Sequence, residues 1–221
     1  MARVIFWDVD TQDDFLHADG KLYVPDAEQI IPHLKQLTDY AHANGIRIVA
    51  SSDDHDRTQP EISDSPDWKT TFPPHCMRGS PGQKKIPDTA LRDPLLIEPV
   101  AADAKQMAER VRAHRGDVLF HKHALDVFTN PNVLTVLEVL DPGDIVVYGV
   151  ATDFCVKADI EGLLERRPHT RLLVVTDAIK PIDKDVGEQL LKEWGERGVR
   201  LVRTEEVVEG GLVAELARDT A

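Results

Sequence analysis

The stretch around which the chain is organised runs from Val146 to Lys157 and reads VVYGVATDFCVK. It begins with β-branched and aromatic residues, continues through Gly149 and other small residues, and then takes up the spacing of an amphipathic helix. We predict a buried strand, a tight turn and a helix, with Cys155 at the helix start. A thiol there lies near the positive end of the helix dipole and near unpaired N–H groups, which favour the thiolate. Cys155 is therefore either a nucleophile or an inert core cysteine, and this stretch alone leaves both open.

The composition bounds the class of protein. The 221 residues, 42% of them hydrophobic, are sufficient for a single α/β domain over residues 1–221. A formal net charge of −13 argues against partners such as nucleic acid or an anionic membrane, so we expect a small-molecule substrate. Two cysteines, Cys76 and Cys155, do not form a disulfide framework, and residues 1–8 lack the pattern of a cleaved leader. We expect a soluble cytoplasmic protein.

Short apolar runs alternate with amphipathic segments along the rest of the chain. The predicted strands are 3–8, 46–50, 118–120, the run before Gly149, 171–176 and 199–202. The predicted helices are 29–44, 103–114, a short one after 131, one after Cys155, 186–197 and 205–218. This alternation predicts a three-layer α/β/α, Rossmann-like fold with a six-stranded parallel sheet. Residues 51–90 lack periodicity, and we expect a functional loop there.

Reactive side chains follow four of the predicted strands, and ligands of parallel sheets bind at the carboxyl ends of strands. Asp10 could take a proton from Cys155, and Lys122 could balance charge or stabilise a tetrahedral intermediate. The backbone N–H groups of Ala151 and Cys155 could form an oxyanion hole. The alternatives are that Asp10 caps a loop and that Lys122 is solvated.

A candidate metal site lies in the predicted loop 51–90. If the chain stays extended, Asp53 and His55 project to the same side, and a returning loop could bring His75 beside them. One carboxylate and two imidazoles make a three-ligand set for Zn²⁺, Fe²⁺ or Mn²⁺ that leaves positions open. Asp64 and Glu61 are candidates for a further ligand.

Several other side chains are candidates with ordinary alternatives. His121 and His123 flank Lys122 and could be a second metal pair, or could serve at the surface or in tuning a pKa. Phe15 and Phe72 could hold a flat ring between them, or could simply pack in the core. Trp68 is a further candidate for the pocket wall.

Five separated motifs, in order along residues 3–180, carry a family resemblance. They are VDTQDDF at 9–15, DDH at 53–55, FPPHCMRGSPG at 72–82, Lys122 after a strand, and GVATDFCV at 149–156. Together they resemble the isochorismatase-like cysteine hydrolases and, within them, the nicotinamidase/pyrazinamidase family. Lys122 is followed by His123 where that family often has Gly, and Phe72 stands where many members have Trp.

The resemblance implies an amidase of NAD salvage that converts nicotinamide to nicotinate and ammonia through a cysteine thioester. It implies a catalytic triad of Asp10, Lys122 and Cys155, and a cis peptide bond between Val150 and Ala151 that aims the oxyanion donors. It also implies one divalent metal ion, zinc first with iron and manganese as alternatives, on the ligands Asp53, His55 and His75. The metal would bind the pyridine nitrogen, with Phe15, Phe72 and Val150 as substrate-binding residues.

Three further possibilities stay open at this point. The chain could be another isochorismatase-like hydrolase that acts on a different small amide or on an N-carbamoyl compound. It could also be a non-catalytic domain that keeps the fold. A homo-oligomer is possible as well, although no seam in the sequence points to one.

Overall fold

A parallel β-sheet forms the centre of the protein, which we describe from a computed structural model for residues 4–218. Its strands in chain order are β1 Val4–Val9, β2 Arg47–Asp53, β3 Leu95–Ile97, β4 Val118–Lys122, β5 Asp144–Val150, β6 Arg171–Lys180 and β7 Arg200–Val202. All neighbouring pairs are parallel, in the order β3-β4-β2-β1-β5-β6-β7. The predicted α/β class is confirmed.

The described part of the chain has eight α-helices, six between strands and two after the last strand. They are α1 Asp13–Leu16, α2 Ile31–Ala43, α3 Ala104–Ala113, α4 Val133–Leu140, α5 Lys157–Arg166, α6 Lys184–Glu196, α7 Thr204–Val208 and α8 Leu212–Arg218. Short 3₁₀ turns lie at Ala27–Ile30, Pro81–Gln83, Pro87–Thr89 and Val127–Thr129, and a π-helical turn spans Thr152–Val156. Within residues 4–218, none of these helices combines the length and the apolar character that a bilayer crossing requires.

Each face of the sheet has its own apolar core, which gives the three predicted layers. Because side chains alternate along a strand, Phe6 of β1 packs into one core and Trp7 into the other. The Trp7 core includes Phe120 and Trp194, whereas the Phe6 core includes Leu34 of α2. The buried β-branched runs of the central strands are thus covered on both sides, as parallel sheets require.

The predicted number of strands is wrong by one, because the sheet has seven strands and the prediction omitted β3. That strand has only three residues, lies at the sheet edge and is bounded by Pro94 and Pro99. A run that short has no periodicity to detect.

Several predicted boundaries also differ from the structure. The predicted C-terminal helix is two helices, α7 and α8, because Gly210 and Gly211 interrupt it, with Gly211 at φ +69°. Strand β6 continues to Lys180 past the predicted end at Thr176. The first residue of the predicted strand 3–8, Arg3, lies outside the described residues.

Gly149 brings β5 against β1 immediately before the functional site. It has φ +123°, and a Cβ atom there would lie 2.0 Å from the carbonyl oxygen of Val9. We expect Gly149→Ala to lower the free energy of unfolding by about 3 kcal/mol. The reason is that alanine is strained at this φ angle and that its Cβ atom would overlap with the carbonyl oxygen of Val9. Urea unfolding measures this, with Gly143→Ala as control because a Cβ atom there meets open space. Equal losses in the two variants would contradict the prediction.

Candidate active site

The last residues of four adjacent strands, β4, β2, β1 and β5, lie together at the carboxyl end of the sheet. Asp53 at the end of β2 pairs in register with Lys122 at the end of β4, and Val9 pairs with Gly149. Asp10 follows β1 with φ +48°, an uncommon conformation for a residue other than glycine. Parallel pairing therefore places residues from distant parts of the sequence side by side, as the sequence predicts.

Lys122 connects the three residues predicted as a triad. Its Nζ lies 2.9 Å from Oδ2 of Asp10, 3.5 Å from Sγ of Cys155 and 2.5 Å from Oδ1 of Asp53. The side chain is fully buried, so the alternative of a solvated lysine does not hold. The contact with Asp53 is one that sequence reasoning missed, and it links the triad directly to the predicted metal ligands.

The charges of this group follow from burial and mutual attraction. Burial raises the pKa of the Asp10 carboxyl, and the attraction of Lys122 offsets this only in part. Burial alone would lower the pKa of the Lys122 ammonium, but Asp10 and Asp53 outweigh it and hold that pKa well above its usual value. Ser51 Oγ donates a hydrogen bond of 2.7 Å to Oδ1 of Asp10, which orients the carboxylate. The site thus contains a fixed cation and a carboxylate more basic than an exposed one.

Cys155 lies in the π-helical turn that precedes α5 and is 5% exposed. Burial raises the pKa of its thiol well above the usual value, and the charges of Asp10 and Asp53 add to this while Lys122 opposes it. The predicted preference for the thiolate at a helix start is therefore outweighed by burial. A thiol in this state needs a base to become a nucleophile.

The turn between β5 and Cys155 has the backbone form that the family resemblance implies. The Val150–Ala151 peptide bond is cis. Both Phe154 N and Val156 N donate to the carbonyl oxygen of Ala151, at 3.1 Å each. An oxyanion hole at the N–H groups of Ala151 and Cys155 stays a prediction.

Beside the triad lies a buried cluster with metal-ligating atoms. It consists of Asp53, His55, Glu61 and His75, whose ligand atoms all lie within 4.8 Å of one another. Nε2 of His55 and Nε2 of His75 lie 3.6 Å and 3.5 Å from Oδ2 of Asp53. The structure thus brings together the three predicted ligands. It also distinguishes between the two candidate further ligands, because Glu61 is buried in the cluster whereas Asp64 is exposed and pairs with Arg57 at 3.3 Å.

The two histidines are oriented as metal ligands would be. Nδ1 of His55 contacts Oε1 of Gln59 at 2.7 Å, and Nδ1 of His75 contacts the carbonyl oxygen of Pro73 at 2.8 Å. Because both partners are acceptors, each Nδ1 donates to its partner, and each Nε2 faces Asp53. Nε2 of His55 is buried and has no hydrogen-bond partner among the described residues. The donor set therefore fits a divalent cation with nitrogen and oxygen ligands.

Asp53 is the anion of this cluster. Burial alone would raise its pKa, but Lys122, His55 and His75 outweigh burial and hold the pKa well below its usual range. Gln12 fixes its backbone, since Gln12 Oε1 accepts from Asp53 N at 2.7 Å and Gln12 Nε2 donates to Asp53 O at 2.9 Å. The sequence analysis did not predict a role for Gln12, although its position two residues after Asp10 places it in the loop at the end of β1.

The loop that follows β2 folds over the site through isolated β-bridges. His55 pairs with Met77 and Ile62 pairs with Phe72, while Gln12 pairs with Lys85 near the end of the loop. These bridges return His75 and Glu61 to the end of β2. The segment after β2, predicted from composition as a long loop, is thus ordered and supplies three residues of the cluster, His55, Glu61 and His75.

An apolar pocket opens between the cluster and Cys155. The predicted substrate-binding residues Phe15, Phe72 and Val150 line it, together with Ala151, Leu22, Val24, Leu125, Phe154 and Ile182. The ring centroids of Phe72 and Phe154 lie 5.8 Å apart in an edge-to-face arrangement. Sequence reasoning missed Phe154, Leu125 and Ile182, and it was wrong about Trp68, which is 59% exposed and does not line the pocket.

His121 and His123 lie outside this pocket. Nδ1 of His121 contacts Oε2 of Glu98 at 3.2 Å, and Nε2 of His123 lies 3.7 Å from Oδ2 of Asp54. Arg78 already neutralises Asp54, since its Nε donates to both carboxylate oxygens at 3.0 Å. The two histidines do not join the cluster at Asp53.

Selective alkylation tests the different surroundings of the two cysteines. Both thiols are free and burial raises the pKa of each, but Cys155 lines the pocket whereas Cys76 is fully buried. We expect iodoacetamide to label Cys155 first, with a rate that rises about tenfold for each pH unit through the neutral range, because a raised pKa leaves little thiolate there. Mass spectrometry of the labelled peptides measures both rates. Cys76→Ala should still be labelled, and equal labelling of the two thiols would contradict the prediction.

Known proteins resemble the chain over nearly its whole length. The nicotinamidase/pyrazinamidase of Mycobacterium tuberculosis (strain ATCC 25618 / H37Rv) is 28% identical over 200 aligned positions, and the match covers 88% of this chain and 95% of that protein. The crystal structure of the pyrazinamidase of Pyrococcus horikoshii in complex with zinc superposes with a TM-score of 0.70 at 22% identity, covering 91% of this chain and 99% of that one. The N-carbamoylsarcosine amidase of Thermoplasma acidophilum superposes with a TM-score of 0.68 at 23% identity, covering 92% and 98%.

These structural likenesses show a shared fold, and the match to a family model goes further. The model of the Isochorismatase domain matches residues 5–206, from the first strand to the helix that follows the last. The matched range contains every residue of the triad and of the buried cluster. The chain therefore belongs to the isochorismatase family.

Proposed function

We propose that this protein is a cysteine-dependent amidase that hydrolyses nicotinamide to nicotinate and ammonia. The observation that carries the proposal is the buried cluster of Asp53, His55, Glu61 and His75 beside Cys155, at the wall of an apolar pocket. A flat heteroaromatic carboxamide presents a ring nitrogen for a metal ion, two apolar faces and a carbonyl carbon for a nucleophile. The similarity to nicotinamidase/pyrazinamidase supports the same substrate class.

Asp53, His55, His75 and Glu61 would hold one divalent ion, with zinc as the first candidate and iron or manganese as alternatives. When bound, the ion supplies a Lewis acid that coordinates the ring nitrogen and fixes the orientation of the ring. Phe15, Phe72 and Phe154 then provide the apolar walls against which a flat ring packs. Cys155 lines the same pocket, so its thiol faces a substrate held there.

In the proposed reaction, Asp10 takes the proton from Sγ of Cys155 while Lys122 stays protonated between them. The thiolate adds to the carboxamide carbon, and the N–H groups of Ala151 and Cys155 donate to the oxyanion. Protonated Asp10 returns the proton to the departing nitrogen, so that the carbon–nitrogen bond breaks and ammonia leaves a thioester. Asp10 next takes a proton from water, whose oxygen adds to the thioester and releases nicotinate and the thiol.

The charge of the pocket disfavours the main alternative, an N-carbamoyl amino acid. Such a substrate carries a carboxylate that needs a cation or several donors. No lysine or arginine lines the pocket among the residues that the structure describes, whereas Asp53 and Glu61 both place a carboxyl group in its wall. A neutral amide therefore fits better than an anionic one.

A substrate panel tests this assignment. We expect the metal-loaded protein to release ammonia from nicotinamide and pyrazinamide with a kcat/KM at least about a hundredfold above that for N-carbamoylsarcosine or for aliphatic amides. Higher activity with an N-carbamoyl acid would overturn the substrate assignment. Both cysteines are free thiols in the structure, which fits the cytoplasmic setting that we propose.

A further inference from the structure

Ile182 stands between the catalytic pocket and a second cleft. It lies between β6 and α6 and lines the pocket of Cys155. It also lines a neighbouring cleft together with Thr152, Lys180 and Gly187. At 42% exposure, Ile182 is the one exposed side chain among the described residues that line the pocket, so it forms part of the mouth.

Asp153 fixes the backbone at Ile182. The N–H groups of Ile182 and Asp183 donate to Oδ1 and Oδ2 of Asp153 at 2.9 Å and 2.8 Å. Asp153 belongs to the π-helical turn that carries Cys155, and Asp183 in turn caps α6 by accepting from the N–H groups at its start. The position of Ile182 relative to the nucleophile is thus set by a short chain of hydrogen bonds.

Three other residues of the pocket wall are poorly placed to move aside for a larger ring. Phe15, Phe72 and Val150 are buried and belong to densely packed surroundings that do not yield easily. Behind Ile182, by contrast, lies the open cleft at Thr152. Thr152, which lines this cleft, has a buried Oγ1 without a hydrogen-bond partner in the described structure.

We propose that Ile182 is a specificity-determining residue that restricts the pocket to a single unsubstituted ring, and that the cleft behind it accepts a ring substituent once Ile182 is shortened. The substrate part of this inference rests on the proposed amidase function. The steric part concerns access to Cys155 and does not depend on that function.

Alkylation by reagents of two sizes tests the steric part. The measured quantity is the rate of Cys155 modification by N-benzyliodoacetamide divided by the rate with iodoacetamide. Because both reagents react with the same thiolate, a change in thiol reactivity cancels in this ratio. We expect this ratio to rise at least about tenfold in Ile182→Ala and to fall in Ile182→Phe, since small steric changes in an apolar pocket alter rates by about 10- to 200-fold. Val186→Ala, which shortens an exposed side chain on the adjacent helix, should keep the wild-type ratio. A ratio in Ile182→Ala within twofold of wild type, or a rise in Ile182→Phe, overturns the proposal.

Hydrolysis of ring-substituted substrates tests the part that depends on function. The kcat/KM for 5-methylnicotinamide or 6-methylnicotinamide, relative to that for nicotinamide, should rise in Ile182→Ala for at least one of the two and stay constant in Val186→Ala. An unchanged ratio for both would overturn the substrate part. If the wild type hydrolyses no nicotinamide, the proposed function fails, and the alkylation ratio still decides whether Ile182 controls access to Cys155.

Discussion

Replacing Cys155 by alanine is expected to reduce kcat/KM for amide hydrolysis by at least about ten-thousandfold. The reason is that Cys155 is the one thiol among the described residues that line the pocket and lies 3.5 Å from the Lys122 ammonium, whereas Cys76 is fully buried and does not line it. Without the thiol, no side chain in the described pocket replaces the nucleophile. Steady-state ammonia release at saturating metal measures the loss.

The fold should survive this substitution, which removes one sulfur atom from a pocket wall. We expect the melting temperature and the bound metal of Cys155→Ala to match those of the wild type. Retained activity in a correctly folded, metal-loaded variant would show that the thiol is not the nucleophile, and the triad assignment would fail with it.

Removing the metal is expected to weaken substrate binding and to lower stability together. His75→Ala deletes one of the four buried ligands of the cluster, and a chelator removes the ion from the wild type. Loss of the ion would release the ring nitrogen, so the KM for nicotinamide should rise at least about tenfold, with a smaller change in kcat. An ion present at a hundred times its Kd contributes about 2.7 kcal/mol of stability, so the melting temperature should fall by about 5 to 10 °C.

Metal analysis by mass spectrometry and substrate titration measure these effects. His169→Ala provides a matched control because His169 is exposed and far along the chain from the cluster. The control should bind one ion per chain with an unchanged KM. If metal-free wild type retained the KM of the loaded protein, the metal would have no part in substrate binding. Hydrolysis of a different small amide would then be the favoured activity of this protein.

The sequence predicted those parts of the site that depend only on where parallel strands end. Asp10, Lys122 and Cys155 each follow a short apolar run, and parallel strands end at one edge, so their proximity follows from topology. The contact between Lys122 and Asp53 was not predictable, because it depends on the register of β2 and β4. Register is a property of the assembled sheet rather than of either strand.

The sequence pattern did not predict which loop residues enter the site, or how burial changes the pKa of Cys155. Glu61 and Asp64 were equivalent candidates, and the bridge between Ile62 and Phe72 is what places Glu61 in the cluster. The pocket residue Ile182 comes from a different connection altogether, after β6. The pKa of Cys155 was predicted in the wrong direction because a helix start is visible in the sequence, whereas burial is not.

Ammonia release from nicotinamide, measured side by side for metal-loaded wild type and for Cys155→Ala, decides whether the protein is a cysteine-dependent nicotinamidase. We expect one ammonia for each nicotinate formed by the wild type and no turnover above background in the variant. Absence of release by the folded, metal-loaded wild type, or equal release by the variant, would contradict this proposal.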